Sequence, residues 1–243
     1  MSKNYILILL LAFLCLPTLV FSQQGVSAED YDAHGNQLLR ERQFDRAARA
    51  YEKATELKPD DSHYHFKLGT TLYYLKDFRK ALESYDKALE LNPDNAMFLE
   101  MRAKLLMVLG LYYRAIDDCN TLVSHSQNVE YWTSQKAYLC YLMGSYEESA
   151  SIYKALFAKY PSKLEYDIKL GECLLGLNKF EEAKAHFNLI LSKQPSNNEA
   201  LINRAIANLN SGEIKAACRD LKKLMEERVK QMSVYSLLEN HCK

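Results

Sequence analysis

Six histidines, six cysteines and two recurring glutamate pairs are the side chains here that could carry chemistry. His63 and His65 stand two apart, which on a helix turns them to different faces and makes them a poor metal pair. His34, His125, His186 and His241 lie scattered, without HExxH spacing or an adjacent ligand pair, so surface or packing positions account for them and no metal is expected. The eight glycines are spread singly and form no phosphate-cradling loop, so neither a nucleotide nor any other cofactor is expected. Glu147-Glu148 and Glu181-Glu182 fall where helices would begin, and carboxylates suit the positive end of a helix dipole there better than they suit acid-base catalysis. A nucleophilic cysteine needs an activating base nearby, and no such motif is visible. The expectation is a protein that is not an enzyme.

The elements that position these residues begin after a leader. Lys3 and the amino terminus precede an uncharged run from Tyr5 to Phe21, and Val20 and Ser22 give the small-residue pattern of a cleavage site. Residues 1–22 are therefore expected to be a signal peptide, cut after Ser22, with 23–27 as a linker. The rival reading is an uncleaved anchor, although the run is short for a bilayer of about 30 Å and Pro17 interrupts it; membrane contact is expected only in that case. Either way the remainder is exported. Leu14 before Cys15 argues against lipidation, where a small residue would be needed.

Lysine plus arginine (31) balances aspartate plus glutamate (31), which speaks against a basic nucleic-acid binder and against an acidic tail. Glycine at 8 and proline at 5 fall far below the roughly 17 and 12 of an average chain of this size, which points to helices with few turns. An internal period explains the shortage. Gly35, Gly69, Ala103, Ala137, Gly171 and Ala205 form one column with a constant step of 34 residues, counted from the sequence. Ala47, Ala81, Ala115, Ser149, Ala183 and Ala217 form a second, and Tyr51, Tyr85, Cys119, Tyr153, Phe187 and Leu221 a third. Pro59, Pro93, Pro161 and Pro195 close four units, with Gln127 and Val229 standing in the other two. Small residues at two places let paired helices approach closely, and the large residue fills the gap their crossing leaves. Within a unit the apolar positions, such as Phe78, Ala81, Leu82, Tyr85, Ala88 and Leu89, follow helical spacing. Proline ends the second helix, and Asp60, Asp94 or Asn197 can begin the turn or cap the next helix.

The expected fold is all-α: six helical hairpins over 28–231 (28–61, 62–95, 96–129, 130–163, 164–197 and 198–231), then a capping helix over 232–243 built on Val234, Tyr235, Leu237 and Leu238. Cys119, Cys140 and Cys173 fall in or beside packing columns and read as small buried hydrophobes. The five cysteines beyond the leader leave at least one thiol free of intrachain pairing. Cys218 and Cys242 differ, because a cap folding back on the last hairpin could join them in a compartment that permits disulfides.

These columns resemble the tetratricopeptide repeat; Leu68, Gly69, Leu72, Phe78, Ala81, Tyr85, Ala88 and Pro93 match the family pattern almost completely in the second unit. His34 departs from it in the first unit, as does Asn208 in the sixth, where terminal units often relax the rule. The Phe21-Ser22-Gln23 leader and the tail from Gly212 to Cys242 also look like those of secreted tetratricopeptide proteins from Bacteroidetes-type bacteria. Export would then be to the periplasm or outer membrane of a bacterium, or into the secretory pathway of a eukaryote.

The resemblance implies a right-handed superhelical solenoid with a concave groove lined by the first helix of each unit at its second, fifth, sixth, ninth, twelfth and thirteenth residues. The centre of that groove is then Phe66, Tyr73, Tyr74, Met97, Met101, Met107, Tyr131, Tyr138 and Tyr141, with Lys104 among the charged residues at the edges; aromatic and methionine side chains suit adaptable recognition. The same tyrosines could instead pack between neighbouring hairpins. Some family members clamp the carboxylate tail of heat-shock chaperones with lysine, asparagine and arginine; the matching positions here are Asp32, Asn36, Lys67, Met97 and Met101, of which only Asn36 fits. The expected partner is a protein or peptide, neither nucleic acid nor metal. The function implied is a non-catalytic binding module or scaffold at the cell envelope, the alternative being an architectural component that assembles without a peptide ligand.

Overall fold

The computed structural model describes residues 26–125, 127–226 and 232–242; the leader expected over 1–22, residues 23–25 of the linker, and Val229 lie outside the described residues. Among the described residues the chain forms thirteen α-helices and no strand. They are α1 Ala28–Arg40, α2 Phe44–Leu57, α3 Ser62–Tyr74, α4 Phe78–Leu91, α5 Ala96–Val108, α6 Tyr112–His125, α7 Val129–Leu142, α8 Tyr146–Lys159, α9 Leu164–Gly176, α10 Phe180–Lys193, α11 Asn198–Asn210, α12 Ile214–Glu226 and α13 Met232–His241. The chain divides into two compact units. The first, Met1–Pro59, holds the hairpin α1/α2; the second, Asp60–Lys243, holds five hairpins and α13.

Chemistry at the helix ends sets the hairpins. Ser27 and Asp30 form a capping box on α1, and the side chains of Asp61, Asp77, Asn95 and Asn197 accept backbone N–H bonds at the starts of α3, α4, α5 and α11. The caps on α3 and α5 thus lie one residue beyond Asp60 and Asp94, which stay in the turns. Each first helix ends in a left-handed residue: Arg42, Lys76, Gly110, Gly144, Asn178 and Gly212 all have positive φ. The residue after each donates its N–H to a carbonyl five back, as Asp77 does to Leu72 at 3.0 Å and Ser145 to Cys140 at 2.9 Å. That is the Schellman closure, and glycine occupies half of the left-handed sites because it takes that conformation without steric cost.

Packing follows the columns. A Cβ added at Gly69 would lie 2.8 Å from the Tyr85 ring, one at Gly35 2.8 Å from Tyr51, and one at Gly171 2.6 Å from Phe187. Opposite Ala103 and Ala205 the facing column holds the smaller Cys119 and Leu221, all four fully buried, while Ala137 faces the buried Tyr153. Two clusters make up the core of the second unit. One joins α4 to α7 around Phe98, Leu106, Leu122 and Trp132, and the other runs from α7 to α12 around Tyr153, Cys173, Phe187 and Leu221. Val234 of α13 is wholly buried in the second cluster, with Leu237 and Leu238 packed against it, whereas Tyr235 is exposed. A disulfide joins Cys218 in α12 to Cys242 just beyond α13, with Cα atoms 5.6 Å apart.

Candidate functional site

Among the described residues the three free cysteines, Cys119, Cys140 and Cys173, are spent on packing. Burial pushes the Cys119 thiol up to about 12, Cys140 to about 11, and Cys173 upward as well, so none supplies a thiolate near neutral pH. Cys173 Sγ lies 3.2 Å from Ser149 Oγ, and that hydroxyl donates to the Ala137 carbonyl at 2.7 Å, tying three helices together. The His63 ring meets Phe98 edge-on at 5.5 Å. His186 pairs through Nδ1 with the buried Asp167 at 2.6 Å. Glu147-Glu148 and Glu181-Glu182 occupy the first turns of α8 and α10. Among the described residues no group of three or more histidine, cysteine or acidic side chains could hold a metal ion, and no helix is long and apolar enough to cross a membrane.

What remains is surface. Residues spaced i, i+4, i+7 and i+11 share one face of a helix. On α5 that face carries Met97, Met101, Lys104 and Val108, and on α7 it carries Tyr131, Gln135, Tyr138 and Leu142. Met97 is 50% exposed, Val108 59%, Tyr131 46%, Tyr138 40% and Leu142 42%. Amphipathic helices bury such side chains when nothing else needs them, and apolar clusters left in water mark interaction sites. Tyr74, at the matching end of α3, is exposed as well, as are Leu109, Leu111 and Tyr113 in and just after the turn between α5 and α6. One local reason is composition: α5 and α7 carry apolar residues on more than one face, so not all of them can turn to the core.

The ten residues that the sequence singles out separate into two sets. Tyr74, Met97, Lys104, Tyr131 and Tyr138 are exposed, so Met97 does not sit in the buried setting of a packing residue. Phe66, Tyr73, Met101, Met107 and Tyr141 are half-buried. Phe66 stacks on Phe98 at 4.6 Å, Tyr73 meets Phe78 at 5.6 Å and Tyr141 meets Tyr146 at 5.4 Å, while Met107 packs on the core cluster. Phe66 thus packs across to the next hairpin, whereas Tyr73 and Tyr141 pack on the second helix of their own. Sequence reasoning passes over Val108 and Leu142, although both hold the thirteenth position that marks Tyr74; their aliphatic side chains lack the aromatic signal that draws attention. Leu109 and Leu111 had no signal, because loop positions fall outside the helix register, and Tyr113 stands in the second helix of its hairpin, away from the first-helix positions.

Three family models described as tetratricopeptide repeats match residues 33–73, 64–95 and 141–209. Among solved structures, YrrB, described as a TPR protein with an unusual peptide-binding site, superposes with a TM-score of 0.59 at 18% identity, covering 79% of this chain and 99% of that one. PilW, described as a widely conserved type IV pilus biogenesis factor, gives 0.59 at 16% identity over 87% of this chain and 98% of its own. The complex of Naa15/Naa10 bound to HypK-THB gives 0.66 at 15% identity over 88% of this chain, which spans only 33% of the matched one. At these identities the likeness is one of fold. No curated protein matches the sequence.

Proposed function

Starting from the fact that this chain is a tetratricopeptide-repeat protein, built from interaction modules that are in general non-catalytic, we propose that it is an exported scaffold holding a segment of another protein on the first helices of its second to fourth hairpins. The observation that carries this reading is the row of half-exposed apolar side chains on α5 and α7, continued by Tyr74 on α3. Rigid helices present it, so little entropy is lost when a partner docks. Its mix of tyrosine, methionine and aliphatic groups offers large contact area with few obligatory hydrogen bonds. The peptide-binding description of YrrB belongs to that protein and adds only that the fold can serve this use.

Two features support export to the cell envelope: the leader with Lys3, the Tyr5 to Phe21 run and the Val20/Ser22 pattern, and the Cys218–Cys242 disulfide, which persists in oxidising compartments. The test is a joint replacement of Met97, Tyr138 and Leu142 by alanine. Because all three are exposed, circular dichroism and the melting temperature should stay at the wild-type values. Capture of partners crosslinked in the native cell should drop at least tenfold, since truncated anchor residues typically cost 2 kcal/mol or more each. Undiminished capture by the folded variant would refute the groove reading.

A further inference from the structure

The same helical face changes character along the stack. On α9 it carries Glu165, Lys169, Glu172 and Gly176, and on α11 Glu199, Asn203, Ile206 and Asn210. Three carboxylates face one ammonium there, leaving the two helices with an excess of two negative charges, whereas the corresponding face of α5 and α7 holds a single charge, Lys104. Lys169 bridges Glu172 and Glu199 at 2.9 Å each, and Asn203 donates to Glu172 at 3.0 Å, so these side chains are held in place as one acidic array. Glu199 keeps about half of its side chain in water and Glu172 little of it. The apolar and acidic stretches are continuous: Tyr141, Glu172 and Asn203 line one hollow of about 420 Å³.

Resting on the groove reading above, we infer that the bound segment is a protein segment with two unlike ends, an apolar stretch seated on α5 and α7 and a basic stretch of lysine or arginine lying over α9 and α11. Charge complementarity carries the assignment. A partner with an acidic end would meet a like-charged, partly desolvated array, where repulsion is poorly screened. The basic end would meet Glu165 and Glu199, with Glu172 held behind them. This extends the contact two hairpins beyond the aromatic centre and gives the segment a direction.

The test uses the full chain and two synthetic peptides sharing a leucine- and phenylalanine-rich half, one with a lysine-rich second half and the other with a glutamate-rich one. Fluorescence anisotropy at low salt should show the lysine peptide binding at least tenfold more tightly, with the gap narrowing as salt is raised. Glu172→Gln with Glu199→Gln should shrink the gap towards unity while leaving circular dichroism unchanged; Glu199→Gln alone, at an exposed position, should act in the same direction. Equal binding of the two peptides, or a gap that the glutamine variants do not alter, overturns the basic-end inference alone. Failure of both peptides to bind, or binding untouched by the Met97, Tyr138 and Leu142 replacement, overturns the groove reading with it.

Discussion

Replacing Arg102 by leucine offers a sharp test of how the hairpins hold charge in their interior. Arg102 in α5 donates through Nε to Asp118 Oδ2 at 3.0 Å and through Nη2 to Oδ1 at 2.6 Å, and its Nη1 reaches Asp86 at 2.9 Å. Asp118 in α6 is only 2% exposed, and burial pushes its carboxyl upward against the pull of the guanidinium. Removing the cation strands that carboxylate, and breaking a buried pair this way costs about 3–5 kcal/mol, a large share of the 5–15 kcal/mol of a typical domain. The repeat supplies its own control. At the same register the second hairpin holds Leu68 and Ser84, and the Ser84 hydroxyl donates to the Lys80 carbonyl at 2.9 Å. The double variant Arg102→Leu/Asp118→Ser copies that pair and should lie within about 1 kcal/mol of wild type, because well-packed apolar groups replace buried ion pairs at little cost. Urea unfolding of both variants, compared by midpoint and slope, measures the coupling. pH gives a second reading. In the single variant the folded-state pKa of Asp118 stays above its unfolded value of about 3.9, so the penalty is complete above the folded value and fades as pH falls through it. The deficit should therefore be smaller at pH 4.5 than at pH 7. A double variant as unstable as the single one, or a deficit that grows on acidification, would refute the reasoning.

Two further outcomes follow from the packing and the tail. Gly69→Ala should destabilise by about 1–3 kcal/mol in a thermal melt, because the new Cβ would lie 2.8 Å from the Tyr85 ring; adding Tyr85→Leu, which copies Ala205 and Leu221, should recover part of that loss, and no recovery would mean that the ring is not what the glycine accommodates. Reducing Cys218–Cys242, which spans 24 residues of sequence, should lower stability by up to about 3 kcal/mol through loop-closure entropy, seen as faster amide exchange in α12 and α13 while α3 to α7 keep their protection; unchanged exchange in α13 would show that Val234 and its neighbours hold the cap without the bond.

The constant 34-residue step determined the hairpins by itself, because glycine, alanine and aromatic columns admit one kind of close helix crossing, and Gly69 against Tyr85 realises it. The left-handed turns were half legible. Gly110, Gly144 and Gly212 announce them, and Asn178 is a residue type that tolerates the conformation, but Arg42 and Lys76 adopt it under the constraint of the Schellman bonds, which their residue types do not advertise. Arg102 and Asp118 lie 16 apart in sequence and meet only because two helices antiparallel to each other bring those registers together. The candidate surface divides in the same way. Residue type marked Tyr138 and Phe66 alike, yet tertiary packing turned Phe66 onto Phe98 and left Tyr138 in water. Sequence fixes which side chains share a helical face; which of those faces a neighbouring hairpin covers depends on how the hairpins stack, and that is decided only when the chain has folded.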